Sequence, residues 1–319
     1  MPEPQKINRI VFFGTPDFAA TILEGLLDEN KWQLAAVYTQ PDRPVGRSKT
    51  LQASKVKELA LKHDLPVYQP ESLQDKDVIL QLKNLQPDLL IVAAYGLLLP
   101  QAVLDVAPKG ALNVHASLLP KYRGAAPIQQ AILNGEQVSG ATIMQMEKGL
   151  DSGPILLQRA LAIGLEDTAQ SLHDQLAQLG ARLLVQTISR LQEGSIVPIA
   201  QEDSLATYAP KLQKSDGQID WHKSAWEVHN QVRATFPWPG AFTYFEAEES
   251  KPVRLAIFPG EIGEPLPEPI EPGQLVKVTQ DALAFACKDR LYLTPFVQPA
   301  GRKKMDAKAF KCGYLNRCS

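Results

Sequence analysis

Through Leu191 the chain alternates short apolar runs with segments whose apolar residues recur at helical spacing, a rhythm that few architectures accommodate. Ile10-Val11-Phe12-Phe13 ends in the turn Gly14-Thr15-Pro16-Asp17, after which Phe18, Ile22, Leu23, Leu26 and Leu27 share one helical face. The same reading predicts strands at 34–39, 67–68, 89–94, 111–115 and 141–146, and helices at 56–65, 78–85, 126–134 and 168–191. A strand followed by a helix has to return before the next strand can pair, so the repeat predicts a parallel sheet covered on both faces. The first turn lacks GxGxxG and is a weak nucleotide signal, with Asp17 available to cap the helix behind it.

From residue 193 the texture changes. Gly194-Ser195-Ile196-Val197-Pro198 and Glu202-Asp203-Ser204 read as a polar connector. Beyond Tyr208, short apolar runs at 253–258, 273–278, 282–286 and 291–293 are separated by Pro, Gly and Asp turns, with one amphipathic helix at 221–236. That pattern predicts a smaller, mainly β domain of barrel type. A chain of 319 residues exceeds what one hydrophobic core organises, and the expected division is 1–192, a linker at 193–208, and 209–319.

Composition then removes several classes. With 45% hydrophobic and 21% charged residues the chain is globular rather than disordered, and a net charge of −2 excludes a globally basic nucleic-acid binder while permitting a local basic patch. The cysteines, Cys287, Cys312 and Cys318, have neither CxxC spacing nor paired histidines nearby, so neither a disulfide framework nor a metal site is expected. The first residues carry no apolar targeting segment and no run is long enough to span a bilayer, so a cytoplasmic location is expected.

The chemistry concentrates in Asn113-Val114-His115-Ala116-Ser117-Leu118-Leu119-Pro120-Lys121-Tyr122-Arg123-Gly124-Ala125-Ala126-Pro127 and in Gly149-Leu150-Asp151-Ser152-Gly153. Strand residues two apart project from one face about 7 Å apart, so Asn113 and His115 can converge on one substrate. Asp151, in the turn after a strand, can return a carboxylate over the sheet. An amide, an imidazole and a carboxylate together suit attack of an amine on a formyl carbon: two donors for an oxyanion and a group that orients the imidazole and moves a proton. Taken singly, each of the three would read as a satisfied structural residue. A second segment, Thr39 to Thr50, opens a stretch with six basic residues (Arg43, Arg47, Lys49, Lys55, Lys57, Lys62) against Glu58, which reads as a solvated surface or a polyanion contact. Arg302-Lys303-Lys304, Lys308, Lys311 and Arg317 make a second basic cluster.

Phe13-Gly14-Thr15-Pro16-Asp17-Phe18-Ala19, Thr39-Gln40-Pro41-Asp42-Arg43-Pro44-x-Gly46-Arg47, the Asn113 to Pro127 run, Gly149 to Gly153, Trp238-Pro239 and Gln298 to Lys303 together resemble the methionyl-tRNA formyltransferases, a branch of the folate-dependent formyltransferases. The resemblance implies a Rossmann-like domain followed by an OB-like β-barrel that binds tRNA. It implies transfer of the formyl group of 10-formyltetrahydrofolate to methionyl initiator tRNA for translation initiation, by a monomer without a tightly bound metal. The family's catalytic Asn, His and Asp fall on Asn113, His115 and Asp151, its folate segment on Ser117, Leu118, Leu119 and Pro120, and its tRNA loop on Arg43, Arg47 and Lys49. The competing expectations are a formyltransferase acting on a sugar-nucleotide amine, and a non-catalytic tRNA- or folate-binding protein.

Overall fold

The computed structural model describes residues 6–45, 50–246, 252–266 and 268–315, and the chain divides into two compact units. The first is built from the chain through Pro127, Val138–Ala162 and His173–Ala209; the second from Ile128–Gln137, Ile163–Leu172 and the chain from Pro210 onward. The elements run β1 (Arg9–Gly14), α1 (Asp17–Glu29), β2 (Gln33–Tyr38), β3 (Arg43–Val45), β4 (Thr50–Gln52), α2 (Lys55–Lys62), β5 (Val67–Tyr68), α3 (Lys76–Asn84) and β6 (Leu89–Ala93). They continue with α4 (Gln101–Leu104), β7 (Ala111–His115), β8 (Arg123–Gly124), α5 (Pro127–Leu133), β9 (Val138–Gln145), β10 (Ile155–Ala162), α6 (Ala169–Gln192) and β11 (Tyr208–Ala209).

Seven strands form one sheet in the order β10-β9-β7-β6-β1-β2-β5, parallel from β5 to β7. The inner strands β1 and β6 are apolar along almost their whole length because both faces are covered, which is what their unbroken hydrophobic runs implied. Pro16, not Asp17, occupies the N-cap of α1, and Asp17 lies in its first turn. Gly25 of α1 abuts Ala181 of α6, and Gly180 abuts Val114 of β7, so small residues let α6 approach both the neighbouring helix and the sheet.

One expectation is corrected. The strand predicted at 141–146 as a further parallel member spans Val138–Gln145 and runs antiparallel to β7. Helix α5 has seven residues and covers about 10 Å, less than the about 17 Å of five-residue β7 that a parallel return would retrace, and β9 pairs in the reverse sense, with His115 opposite Thr142 and Leu112 opposite Gln145. Its hairpin partner β10 has no sequence signal because this edge strand is largely exposed and polar at Gln158 and Arg159.

The segment 193–208 lies within the first unit. Ile199 bridges Ile155, and β11 pairs in parallel with β8.

The second unit contains α7 (Ala225–Thr235), β12 (Phe242–Phe245), β13 (Val253–Ile257), β14 (Glu261–Pro265), β15 (Leu275–Val278), β16 (Leu283–Ala286), β17 (Arg290–Thr294), β18 (Phe296–Pro299), β19 (Met305–Asp306) and α8 (Ala307–Tyr314). Two four-stranded antiparallel sheets, β12-β13-β18-β19 and β14-β17-β16-β15, enclose a core of Trp221, Val228, Leu255, Phe285, Tyr292 and Phe310. Strands β12, β14 and β18 lie outside the predicted runs, since Pro, Gly and Glu break their apolar pattern or exposed aromatics replace it.

Helix α7 begins at Ala225 rather than Trp221 because Ser224 and Glu227 form a capping box: Ser224 Oγ accepts from Glu227 N–H at 3.3 Å and Glu227 Oε2 accepts from Ser224 N–H at 3.0 Å. Cys287 is a free, buried thiol whose pKa burial pushes up to about 12, whereas Cys312, against expectation, is disulfide-bonded. Among the described residues no helix is long and apolar enough to cross a membrane.

Ser224→Ala should lower stability by about 1 kcal/mol in thermal or denaturant unfolding. Hydrogen bonds from Ser224 hold the Glu227 carboxyl below its ordinary pKa, so this contribution is present at neutral pH. The gap between wild type and variant should therefore narrow as pH falls through that lowered value.

Candidate active site

Strand pairing on both sides fixes the two polar residues of β7. Asn113 sits opposite Val92 of β6 and Met144 of β9, and His115 opposite Thr142. The alternation of a strand then sends both side chains to one face. Beyond His115 the chain turns sharply and is tied back to the sheet. Thr142 Oγ1 donates to Ser117 O at 2.6 Å, Gln158 Nε2 donates to Leu119 O at 2.7 Å and to Thr142 Oγ1 at 2.9 Å, and Ser117 Oγ donates to Lys121 O at 2.6 Å. Leu118 fills the space left by Gly140, which lacks a side chain. Of the predicted folate segment, Ser117 and Leu119 are thus buried in the fold, and Leu118 and Pro120 are half-buried.

Tyr122 adopts a left-handed conformation, φ 62°, that turns its carbonyl to His115 Nε2 at 2.9 Å. A carbonyl only accepts, so Nε2 carries a proton and Nδ1 is turned toward Asp151. There it lies 3.7 Å from Asp151 Oδ2. The carboxylate is held from two further directions: Oδ1 accepts from Asn113 Nδ2 at 3.3 Å and Oδ2 from the Gly124 N–H at 2.8 Å. Only 7% of the His115 side chain and 15% of the Asp151 side chain are exposed, which strengthens these charged contacts relative to water. The second N–H of the Asn113 amide makes no hydrogen bond among the described residues.

Because β9 is antiparallel, the turn carrying Asp151 begins beside the start of β7, where Met146 N–H donates to Ala111 O at 2.8 Å. Several devices fold it back over the Asn113 and His115 face. Gly153 has Gln145 O where a Cβ would sit, and Asp151 itself takes φ 50°. Gln201 Nε2 donates to Asp151 O at 2.8 Å and Gly153 O at 2.7 Å, clamping the turn. The buried Arg123 guanidinium orients that amide, donating to Gln201 Oε1 from Nε at 3.1 Å and Nη2 at 2.9 Å.

The structure brings Asn113, His115 and Asp151 together. Tyr122, Gly124 and Gln201 also belong to the arrangement and were not singled out by sequence reasoning. Tyr122 and Gly124 lay inside the quoted motif, but their parts are played by backbone atoms, which no side-chain pattern reveals. Gln201 lay in a segment read as a connector, and nothing in its local sequence marks it.

The basic segment is placed apart from this trio, following β2. Arg43 is exposed on the β3-β4 hairpin and donates to Gln40 Oε1 at 3.1 Å. Arg47 and Lys49 lie outside the described residues. Lys57 Nζ is 2.7 Å from Asp42 Oδ2, and this hydrogen bond with that from Gln69 holds the Asp42 carboxyl below its ordinary pKa. Lys55 pairs with Glu58 at 2.9 Å, so internal ion pairs engage Lys55 and Lys57 of the basic stretch. Lys304, in the second basic cluster, stacks 4.0 Å from the Phe296 ring centroid and 4.6 Å from that of Phe258. No group of His, Cys, Asp and Glu among the described residues is arranged to hold a metal ion.

An open α/β sheet with an amide, an imidazole and a carboxylate gathered over one strand is a frame for group transfer. The family described as formyl transferase matches residues 8–188, and its C-terminal domain matches 211–315. A methionyl-tRNA formyltransferase of Nitratidesulfovibrio vulgaris strain Hildenborough is 55% identical over 310 residues, covering 97% of this chain and 94% of the relative. One from Trichlorobacter lovleyi is 46% identical over 96% of this chain and 94% of its own. The chain belongs to the methionyl-tRNA formyltransferase family.

Solved structures share the fold at lower identity. An N-formyltransferase from Helicobacter canadensis in complex with folinic acid and dTDP-3-aminofucose aligns with TM-score 0.64 at 20% identity, over 94% of this chain and 100% of that one. HypX from Aquifex aeolicus in complex with tetrahydrofolic acid aligns with TM-score 0.66 at 15% identity, over 98% of this chain and 48% of that one, so the chain spans about half the length of that protein.

Gln201→Ala removes the clamp and leaves two inward carbonyls unsatisfied. A loss of about 1–3 kcal/mol in unfolding free energy is expected. Gly153→Ala should be at least as damaging, because the added methyl meets backbone rather than a movable side chain.

Proposed function

We propose that this chain transfers the formyl group of 10-formyltetrahydrofolate to the α-amino group of methionyl initiator tRNA, giving N-formylmethionyl-tRNA. The observation that carries this reading is the Asp151 carboxylate held 3.3 Å from Asn113 Nδ2 and 3.7 Å from His115 Nδ1 over one strand face. In the proposed mechanism the amine nitrogen bonds to the formyl carbon, and the carbonyl oxygen becomes an oxyanion. Asn113 donates its unengaged N–H to that oxygen, and His115, acting as the imidazolium with its Nε2–H held by the Tyr122 carbonyl, donates a hydrogen bond to it from Nδ1–H. Asp151 takes the proton released by the amine, directly or through one water, and passes it to the departing nitrogen as the original carbon–nitrogen bond breaks. No covalent enzyme intermediate is required.

The donor is assigned to the turn Ser117, Leu118, Leu119 and Pro120. Since the Ser117 hydroxyl is engaged with Lys121 O, that turn serves as a rigid wall, offering apolar and backbone surface. Arg43, Arg47 and Lys49 are assigned to the tRNA, with Arg43 the one whose exposed position among the described residues supports it. Residues 1–192 are taken as the formyltransferase domain, 193–208 as the connector and 209–319 as the tRNA-binding domain. The protein is taken to work as a monomer in the cytoplasm.

Asn113→Ala should lower kcat by about 100- to 1000-fold, the usual cost of losing one oxyanion donor, with an unchanged unfolding midpoint. Asp151→Asn, which keeps the shape and removes the charge, should be comparably impaired. The deciding assay offers wild-type protein 10-formyltetrahydrofolate with charged initiator tRNA in one arm and a sugar-nucleotide amine in the other. Formylation of the sugar alone would overturn the substrate assignment, and full activity of Asn113→Ala would overturn the mechanism.

Arg43→Ala should raise KM for tRNA and flatten its dependence on salt, leaving KM for the folate unchanged. An equal rise in both would end the division of labour between the two segments.

A further inference from the structure

In the second unit, strand alternation puts Phe242 and Tyr244 of β12 and Arg254 of β13 on one face of their sheet, while Leu255 and Ile257 enter the core on the other. Tyr244 and Arg254 are cross-strand partners. The Arg254 guanidinium carbon lies 3.9 Å from the Phe242 ring centroid, and the Tyr244 ring meets Phe242 edge-on at 6.0 Å. An exposed planar cation therefore sits over an aromatic ring on the outer face of this sheet, with Phe242 itself buried beneath it.

Two glycines bring a second wall against this face. A Cβ on Gly217 would overlap the Gly240 carbonyl oxygen, and Gly240 takes φ 79°, so the turn at Lys214–Gly217 closes on the turn that carries Trp238. Ile219 N–H donates to Phe242 O at 2.9 Å and fixes the register. The result is an open cavity of about 420 Å³ bordered by Lys214, Ser215, Trp238, Pro239, Phe242 and Arg254. Among the described residues its border holds two cations and no acid. The nearest acid in sequence, Asp216, accepts from the Gln213 N–H at 2.7 Å. Trp238 is 51% exposed, and its indole N–H has no partner among the described residues.

We propose that this pocket binds one unpaired nucleotide of the RNA substrate, with its base stacked on Trp238 and the Arg254 guanidinium and its phosphate met by Lys214. The proposal rests on the reading that the acceptor amine is carried on tRNA. The chemistry favours a nucleotide because a base offers a flat π-face to an aromatic and a guanidinium, and the phosphate supplies a charge for Lys214, which has no acidic partner among the described residues. The volume is in the range of about 300–1000 Å³ typical of small-ligand sites.

The test uses full-length protein and deacylated initiator tRNA. Of the four tryptophans, Trp32 and Trp221 are buried, and Trp226 and Trp238 are about half exposed, so quenching by RNA reports on the latter two. Saturable quenching is expected in wild type and should be largely lost in Trp238→Phe. Trp238→Ala and Arg254→Ala should each weaken tRNA binding and raise KM for tRNA about tenfold, with kcat, KM for the folate and the unfolding midpoint unchanged. Arg254→Lys keeps the charge without the planar stack and should fall between wild type and Arg254→Ala.

Equal quenching in wild type and Trp238→Phe, wild-type tRNA affinity in Trp238→Ala and Arg254→Ala, or equal quenching by polyglutamate would overturn the pocket. Persistent RNA quenching by a wild-type protein that does not formylate charged initiator tRNA would overturn the substrate reading and leave the pocket standing.

Discussion

The position of one carboxylate governs the candidate site. Asp151 has to lie over Asn113 and His115, yet the strand that delivers it runs antiparallel and ends at the wrong end of β7. The chain therefore brings the carboxylate back through a turn with a left-handed Asp151 and a side-chain-free Gly153, clamps the turn with the Gln201 amide, and meets Oδ2 with the Gly124 N–H. A left-handed non-glycine residue carries a strain of about 1–2 kcal/mol, and it persists because the surrounding hydrogen bonds over-determine it. Asn113, the Gly124 N–H and Gln201 all act on that carboxylate or on the turn that bears it.

The Arg123–Gln201 pair shows how the fold protects such an arrangement. Arg123 is buried beside the residues that position His115, and its guanidinium fixes which end of the Gln201 amide faces the Asp151 turn. With oxygen toward the guanidinium, the amino group can only point to the two carbonyls. The segment 193–208 thus does more than connect: it supplies both the clamp and β11, which pairs with the strand that provides the Gly124 N–H. Electrostatics are treated with similar economy in the basic segment, where Asp42 and Glu58 engage two lysines and Arg43 stays exposed.

Much of the fold was legible because burial leaves periodic traces. Ile10 to Phe13 and Leu89 to Ala93 announced buried parallel strands, and the 3.6-residue pattern from Thr168 onward announced α6. Strand β10 and the β domain's exposed strands left no such trace, since a strand with one wet face or an edge need not alternate cleanly. The Asn113, His115 and Asp151 trio was readable from residue type and spacing; the Tyr122 carbonyl, the Gly124 N–H and Gln201 were not. Backbone groups are the same in every sequence, and the Gln201 amide reaches a residue 50 positions away.

By itself, then, the sequence determined which residue types are available for chemistry and which runs are buried, because side-chain chemistry and hydrophobic period are local properties. Tertiary structure decided the direction of β9, the return path of Asp151, the ring orientation that the Tyr122 carbonyl gives His115, and the placing of Trp238 and Arg254 on the border of one cavity. Each of these depends on distances between segments remote in the chain, and such distances are set only when the whole core closes.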